Sequence, residues 1–213
     1  MTAIFLNGGG DSPETARIDR AFVAALADGP VLYWPHARPT ETYAACRAWF
    51  GELMAGYGVT RIEMDARPRS LAGYGGVYLG GGDTYRLLAA VRTSGLDHLL
   101  VDAVRGGLPV FGGSAGAIVL GADISTWVPA GESGDAVRGL DLLGEYSVWA
   151  EYEARNAEAA RDWCAKRGSP VIALGCAAGV IVRGDAMYAC GTEPVLRIDA
   201  GGAVAFADGE RIA

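Results

Sequence analysis

The sequence predicts an α/β protein, a three-layer sandwich around a mostly parallel central sheet. Short apolar runs of strand composition alternate with helix-like segments over the first 120 residues. Parallel strands need such crossovers, and the helices then cover both faces of the sheet. Glycine-rich or polar turns follow the strand-like runs: Asn7–Asp11, Pro35–His36, Gly80–Thr84 and Gly112–Gly116. Ligands of open parallel sheets bind beyond the carboxyl ends of the strands, so these turns are expected to converge on one edge. Beyond residue 170 the pattern changes to short strands parted by Gly-Asp, Gly-Gly and Asp-Gly turns, which predict C-terminal β-hairpins.

In chain order, Thr2 to Leu6 reads as the first strand. A helix opened by Asp11 or Ser12, with Pro13 in its first turn, runs to about Ala27 and buries Ile18, Phe22, Val23 and Leu26 on one face. Val31–Trp34 is the second strand, stopped by Pro35, and a helix from Thr42 to Tyr57 and a short strand near Arg61–Met64 follow. Gly76–Leu79 is the next strand, and Tyr85–Val91 and Leu96–Val104 are helical. His98 sits among Leu96, Leu99 and Leu100 and is expected to face solvent. Asp123–Arg138 reads as an irregular excursion, Tyr146–Ala150 as a strand, and Asn156–Lys166 as a helix ended by Gly168. The last predicted strands are Val171–Leu174, Gly179–Arg183, Met187–Cys190, Val195–Ile198 and Ala203–Phe206. No repeat or linker interrupts the chain, so residues 1–213 are expected to form one domain.

The stretch with chemical content is Leu108-Pro109-Val110-Phe111-Gly112-Gly113-Ser114-Ala115-Gly116, followed by an apolar run. It has the form of a nucleophile elbow, G-x-S-x-G between a strand and a helix. Small neighbours let a serine adopt a cramped backbone conformation, with backbone N–H groups nearby to hold an oxyanion. The alternative is a glycine-rich turn without chemistry. The turn at Gly8–Gly10 lacks both the dinucleotide-binding and the P-loop spacing, and reads as a tight turn lining a pocket, with Gly9 and Gly10 facing substrate.

Composition excludes several classes. The net charge is −7 and no basic stretch exists to neutralise phosphates, so nucleic acid is not an expected partner. The longest apolar run, Val171 to Val182, spans twelve residues and contains two glycines, too short for a membrane span. Ala3–Leu6 is too short for a signal h-region, and a cytoplasmic location with reduced thiols is expected. The four cysteines show no C-x-x-C spacing and there are only two histidines, so no metal or other cofactor is expected. The expected partner is a small peptide or amide substrate, and a homodimer stays open as the assembly.

The chain resembles the serine peptidases of the peptidase E (aspartyl dipeptidase) and cyanophycinase group. Three segments carry the resemblance: Gly80-Gly81-Gly82-Asp83-Thr84, Gly113-Ser114-Ala115-Gly116-Ala117, and Gly139-Leu140-Asp141-Leu142-Leu143 ahead of Ala150-Glu151-Tyr152-Glu153. The resemblance implies a fold like that of the class I glutamine amidotransferases and a Ser-His-Asp/Glu peptidase. It implies Ser114 as nucleophile, with backbone at Gly81 and Gly82 joining Ala115 N–H in an oxyanion hole. In that group the last segment reads Pro-His-Tyr-Asp, and its histidine is the base; here Glu151 stands at that position. The group's acid lies in the excursion, where this chain offers Glu132 and Asp135.

Two candidates for the base remain. His36, the histidine at the expected edge, is the expected base, since an imidazole suits a hydroxyl better than an ordinary carboxylate does. Glu151 occupies the resembled position and is favoured by geometry. Without a base, oxyanion stabilisation and binding leave only about 10³–10⁴-fold over water. Arg38, Arg155, Asp83 and Thr84 are expected to contact substrate, the arginines through a carboxylate. The sequence thus predicts a serine hydrolase cleaving a small peptide, aspartyl in the group resembled, or a related amide, with an atypical triad. The rival reading is an inactive relative that binds a small ligand. An amidotransferase- or lyase-like enzyme is disfavoured because no cysteine occupies the elbow.

Overall fold

The computed structural model describes residues 3–127 and 136–213. The alternating first half becomes β1 (Ala3–Asn7), α1 (Ala16–Ala25), β2 (Val31–Trp34), α2 (Tyr43–Ala55), β3 (Ile62–Glu63) and β4 (Gly76–Leu79). It continues through α3 (Thr84–Ser94), α4 (Leu96–Arg105), β5 (Val110–Gly113) and α5 (Ala115–Leu120). The second half holds β6 (Ser147–Trp149), α6 (Ala157–Arg167), β7 (Val171–Ala173), β8 (Ala178–Arg183), β9 (Ala186–Gly191), β10 (Val195–Asp199) and β11 (Gly202–Phe206).

The central sheet has the order β3-β2-β4-β5-β1-β8-β9. The pairs from β3 through to β1 are parallel, whereas β8 is antiparallel to both β1 and β9. The period-2 alternation of side chains divides the core into two layers. Ile4, Leu6, Leu32, Trp34, Val77, Leu79 and Val110 pack on one face with Leu87, Leu88, Val91, Leu100 and Ile118 of α3, α4 and α5. Phe5, Tyr33, Tyr78 and Phe111 point the other way, onto Ile18 and Phe22 of α1 and Phe50 and Met54 of α2. That second layer is an aromatic cluster: Tyr78 stacks on Phe111 with centroids 4.4 Å apart, and Tyr33 on Phe50 at 4.2 Å.

Two expectations about local structure change. Helix α1 begins later than Asp11 or Ser12, because Glu14 N–H donates to Asp11 O in a preceding turn and Thr15 becomes the N-cap. Thr15 Oγ1 then donates to the buried Asp19 carboxylate at 2.6 Å, while burial pushes Asp19 above its ordinary value. The second change concerns the C-terminal strands. β8–β9 and β10–β11 are the expected hairpins, but β7 forms no hairpin with β8, the strand that follows it. It runs parallel to β6 and antiparallel to β10 in a second, four-stranded sheet of order β11-β10-β7-β6. Gly175–Ala177 carry the chain from that sheet back to the central one, and α6 covers the second sheet through Ala160 and Cys164.

The segments flanking the excursion are tied to each other. Leu140 and Leu142 N–H donate to the carbonyls of Val119 and Leu120, and Gly139 N–H to that of Ala122. Asp123 Oδ1 accepts from Ser125 and Val137 N–H. These bonds lead the chain from α5 into β6 and bring the end of β6 to the sheet edge. Among the described residues no helix is long and apolar enough to cross a membrane, and the four cysteines are free.

Candidate active site

Ser114 occupies the single residue between β5 and α5, with φ 47° and ψ −108°, a conformation that L-residues adopt at a cost of about 1–3 kcal/mol. The two motif glycines make this turn possible by close packing. A Cβ on Gly112 would meet the backbone carbon of Gly116 at 2.6 Å, and one on Gly116 would meet Leu79 O at 2.3 Å. Ser114 N–H donates to Asn7 O at 3.0 Å, which fixes the turn to the end of β1.

The Ser114 hydroxyl donates to Glu151 Oε1 at 3.2 Å. Glu151 also has a left-handed backbone, φ 52°, and its N–H donates to Gly8 O at 2.8 Å. Gly9 separates the two side chains from the wall: a Cβ there would lie 3.1 Å from Glu151 Cγ and 3.2 Å from Ser114 Cβ. Buried Asn7 organises that turn, its Oδ1 accepting from Gly9 N–H at 2.7 Å and its Nδ2 donating to the carbonyls of Cys176 and Ala178. Sequence reasoning did not single out Asn7; its signal was a polar residue ending an otherwise buried strand.

Gly81 lies against Ser114, its Cβ direction meeting Ser114 Cβ at 3.3 Å, and Arg38 Nε donates to Gly81 O at 3.0 Å. Gly82 has φ 141° and abuts Ala37 O, where a Cβ would stand 2.6 Å away. The cavity in front of Ser114 has a volume of about 930 Å³. Gly9, Gly10, Arg38, Gly81, Gly82, Thr84, Ser114 and Glu151 line it. Toward α2 its wall continues through Thr42, Cys46 and Trp49, and toward β6 and α6 through Trp127, Trp149 and Trp163. The tryptophan wall was not foreseen, although Trp149 ends the strand that leads to Glu151.

Other expected residues are held elsewhere. Asp83 caps α3, accepting from Arg86 N–H at 2.8 Å, and is not among the lining residues. Arg155 pairs with Glu153 at 2.9 Å, away from the lining. Ala115 is buried behind the serine and does not line the cavity. Glu132 and Asp135 lie outside the described residues. His36 is also absent from the lining: its ring packs on Trp34 with centroids 4.2 Å apart, and Nδ1 shares a 2.8 Å hydrogen bond with Tyr43 Oη. Loop closure after β2 turns the imidazole into this aromatic nook, and the group that meets Ser114 is Glu151. His98 is exposed, as its helix position implied.

Burial lowers His36 below its ordinary 6.5. The folded chain therefore binds fewer protons than the unfolded chain between that lowered value and 6.5. Stability from this group is complete above 6.5 and lost as pH falls through the window. Melting temperature is expected to drop on acidification below that pH, with a smaller drop in His36→Gln; equal slopes in both proteins would contradict it.

Cys176, beside the Gly10 turn, is pushed up by burial and then by the carboxylates of Glu14, Glu151, Glu193 and Glu153, so it stays a thiol. Among the described residues no group of three or more His, Cys, Asp or Glu side chains is arranged to hold a metal ion.

Residues 4–188 match the sequence profile of peptidase family S51. The chain belongs to peptidase family S51. This is a family of serine peptidases, and the mostly parallel sheet with its flanking helices is the S51 fold. A 50-residue stretch is 48% identical to peptidase E of Streptomyces coelicolor (strain ATCC BAA-471 / A3(2) / M145), covering 24% of this chain and 21% of that protein. The match thus spans about a fifth of that relative's length. A peptidase from an acI-B1 actinobacterium superposes with TM-score 0.77 at 20% identity, over 100% of this chain and 97% of the other. A peptidase E-type protein from Listeria monocytogenes EGD-e gives TM-score 0.68 at 18% identity, over 91% and 100%. These structures are alike in fold. In this S51 chain the side chain held against Ser114 is a carboxylate, Glu151.

Proposed function

We propose that this S51 protein is a serine hydrolase that cleaves a small peptide or related amide, with Ser114 as nucleophile and Glu151 as its base. The observation that carries the reading is the 3.2 Å hydrogen bond from Ser114 Oγ to Glu151 Oε1 at a strained strand-to-helix turn. A hydroxyl held to a carboxylate can pass its proton there as oxygen attacks a carbonyl carbon. The bond is longer than an ordinary O–H···O contact, and such bonds tighten once substrate closes the site. The negative oxygen of the tetrahedral intermediate would be met by backbone N–H groups at Gly81, Gly82 and Ala115. Glu151 would then return the proton to the departing amine, and water would release the acyl group from Ser114. Arg38, on the cavity wall, supplies the positive charge for a substrate carboxylate.

The test is labelling by a fluorophosphonate, which reports an activated serine. Labelling is expected in the wild-type protein, to vanish in Ser114→Ala and to persist in His36→Ala. Absence of labelling between pH 6 and 9, with thermal stabilisation by a small metabolite, would instead support an inactive relative that binds a small ligand. That second reading draws on the absence of histidine from the cavity lining.

A further inference from the structure

We infer that the wall of the cavity toward β6 and α6 is a subsite for an uncharged aromatic or large branched-aliphatic group beside the bond attacked. The inference rests on the hydrolase reading for its role, and on the cavity alone for its binding chemistry.

Three indoles, Trp127, Trp149 and Trp163, line this part of the cavity together with Ile118 and Ala159. Its position next to the reacting pair follows from two local geometries. Trp149, Ala150 and Glu151 follow one another along the cavity lining where β6 ends, so Trp149 stands next to the carboxylate that accepts from Ser114. Ile118 N–H donates to Ser114 O at 3.0 Å, and both residues line the cavity. A group held among these side chains is therefore adjacent to the Ser114–Glu151 contact.

The wall is built rather than left open by chance. Trp163 Nε1 donates to Ser125 Oγ at 3.1 Å, and Arg167 donates to the same oxygen at 3.1 Å. Thr126 Oγ1 donates to Val148 O at 2.6 Å, which ties the segment bearing Trp127 to the strand bearing Trp149. Trp127 also packs against Tyr85, with ring centroids 6.0 Å apart. The indole N–H of Trp163 is satisfied by Ser125, so this ring offers the cavity an apolar surface. Trp127 remains 36% exposed, an apolar surface that a ligand ring could remove from water.

Charge argues in the same direction. None of the five lining side chains is ionisable, while Arg38 and Asp11 lie on the wall nearer β1 and β2. Arg167, behind this wall, donates to Ser125 Oγ and pairs with Asp123 at 3.6 Å, so its charge is already matched. A carboxylate placed among the indoles would lose its hydration without a cation of its own, whereas an aromatic ring would gain stacking area. The subsite thus selects against an acidic side chain at this position.

The test separates binding from chemistry by using Ser114→Ala protein and titration calorimetry. The probes are N-acetyl-L-phenylalaninamide, N-acetyl-L-alaninamide and N-acetyl-L-aspartamide. The phenylalanine compound is expected to bind about tenfold or more tightly than the other two. Trp149→Ala is expected to bring it to the level of the alanine compound. Ala159→Trp, a change at an exposed helical position that fills the same space, is expected to do likewise without disturbing the core. Equal or tighter binding of the aspartyl compound, no binding of the phenylalanine compound, or unchanged binding in Ala159→Trp would overturn the inference. Aromatic selectivity in a protein that fluorophosphonate does not label would remove the hydrolase reading and leave the subsite standing. Labelling without selectivity would do the reverse.

Discussion

Glu151→Gln is expected to slow fluorophosphonate labelling and any amide hydrolysis by about 10²–10⁴-fold, the range a general base contributes. The amide is close in shape to the carboxylate and keeps an oxygen to accept from Ser114 Oγ, but it cannot take up the proton. The left-handed backbone at Glu151 and its N–H bond to Gly8 O are unaffected by the change, so the melting temperature is expected to stay near the wild-type value. Labelling rates within about twofold of wild type would reduce Glu151 to an orienting acceptor. Glu151→His is the complementary experiment. Histidine tolerates positive φ better than most residues, so the imidazole can occupy this position at 52° without new strain. A base with an ordinary value near 6.5 suits a serine hydroxyl at neutral pH better than a carboxylate does. Activity is therefore expected to rise in Glu151→His; a fall to the level of Glu151→Gln would mean that the site lacks the further group an imidazole needs.

The second large effect is on folding. Gly116→Ala is expected to destabilise the protein by about 3 kcal/mol, the upper part of the range for overpacking a tight interior. The added Cβ would stand 2.3 Å from Leu79 O and 3.0 Å from Leu79 Cβ, and both neighbours are fixed within the central sheet. Neither can move aside as a flexible side chain could, so α5 itself must shift. For a chain of this size that corresponds to a fall of roughly 6–12 °C in melting temperature. The same shift would displace Ser114, and labelling is expected to drop with stability. Gly51→Ala is the control, since a Cβ there meets nothing within 4 Å and the backbone is that of helix α2. An unchanged melting temperature in Gly116→Ala would show that α5 does not sit against β4 as described.

Patterns readable along the chain settled the layers. Alternation in β1, β4 and β5 placed aromatic residues on one face and aliphatic residues on the other, because successive side chains of a strand point to opposite sides. The G-x-S-x-G spacing located the Ser114 turn, since only glycine fits where β5 and α5 touch backbone to backbone. Gly168 likewise marked the end of α6, with φ 66°. These features depend on neighbours a few residues away, and a local rule is enough to find them.

The partner of the serine depended on something else. His36 and Glu151 both lie at strand ends, and nothing local to either says which reaches Ser114. The answer came from hydrogen bonds between distant segments: Glu151 to Gly8, Asn7 to Cys176 and Ala178, and the Val119–Ala122 segment to Gly139–Leu142. Together they carry the end of β6 across to the serine, while Tyr43 and Trp34 hold His36 aside. The second sheet has the same origin, because β7 chooses β6 and β10 over the strand that follows it. The tryptophan wall needs that sheet, with Trp149 from β6, Trp163 from α6 and Trp127 brought in by Thr126. Composition and periodicity determined which residues are buried and where the chain turns. Pairing between segments far apart in sequence decided which side chains meet, since a hydrogen bond across 37 or 169 positions leaves no trace in the local pattern.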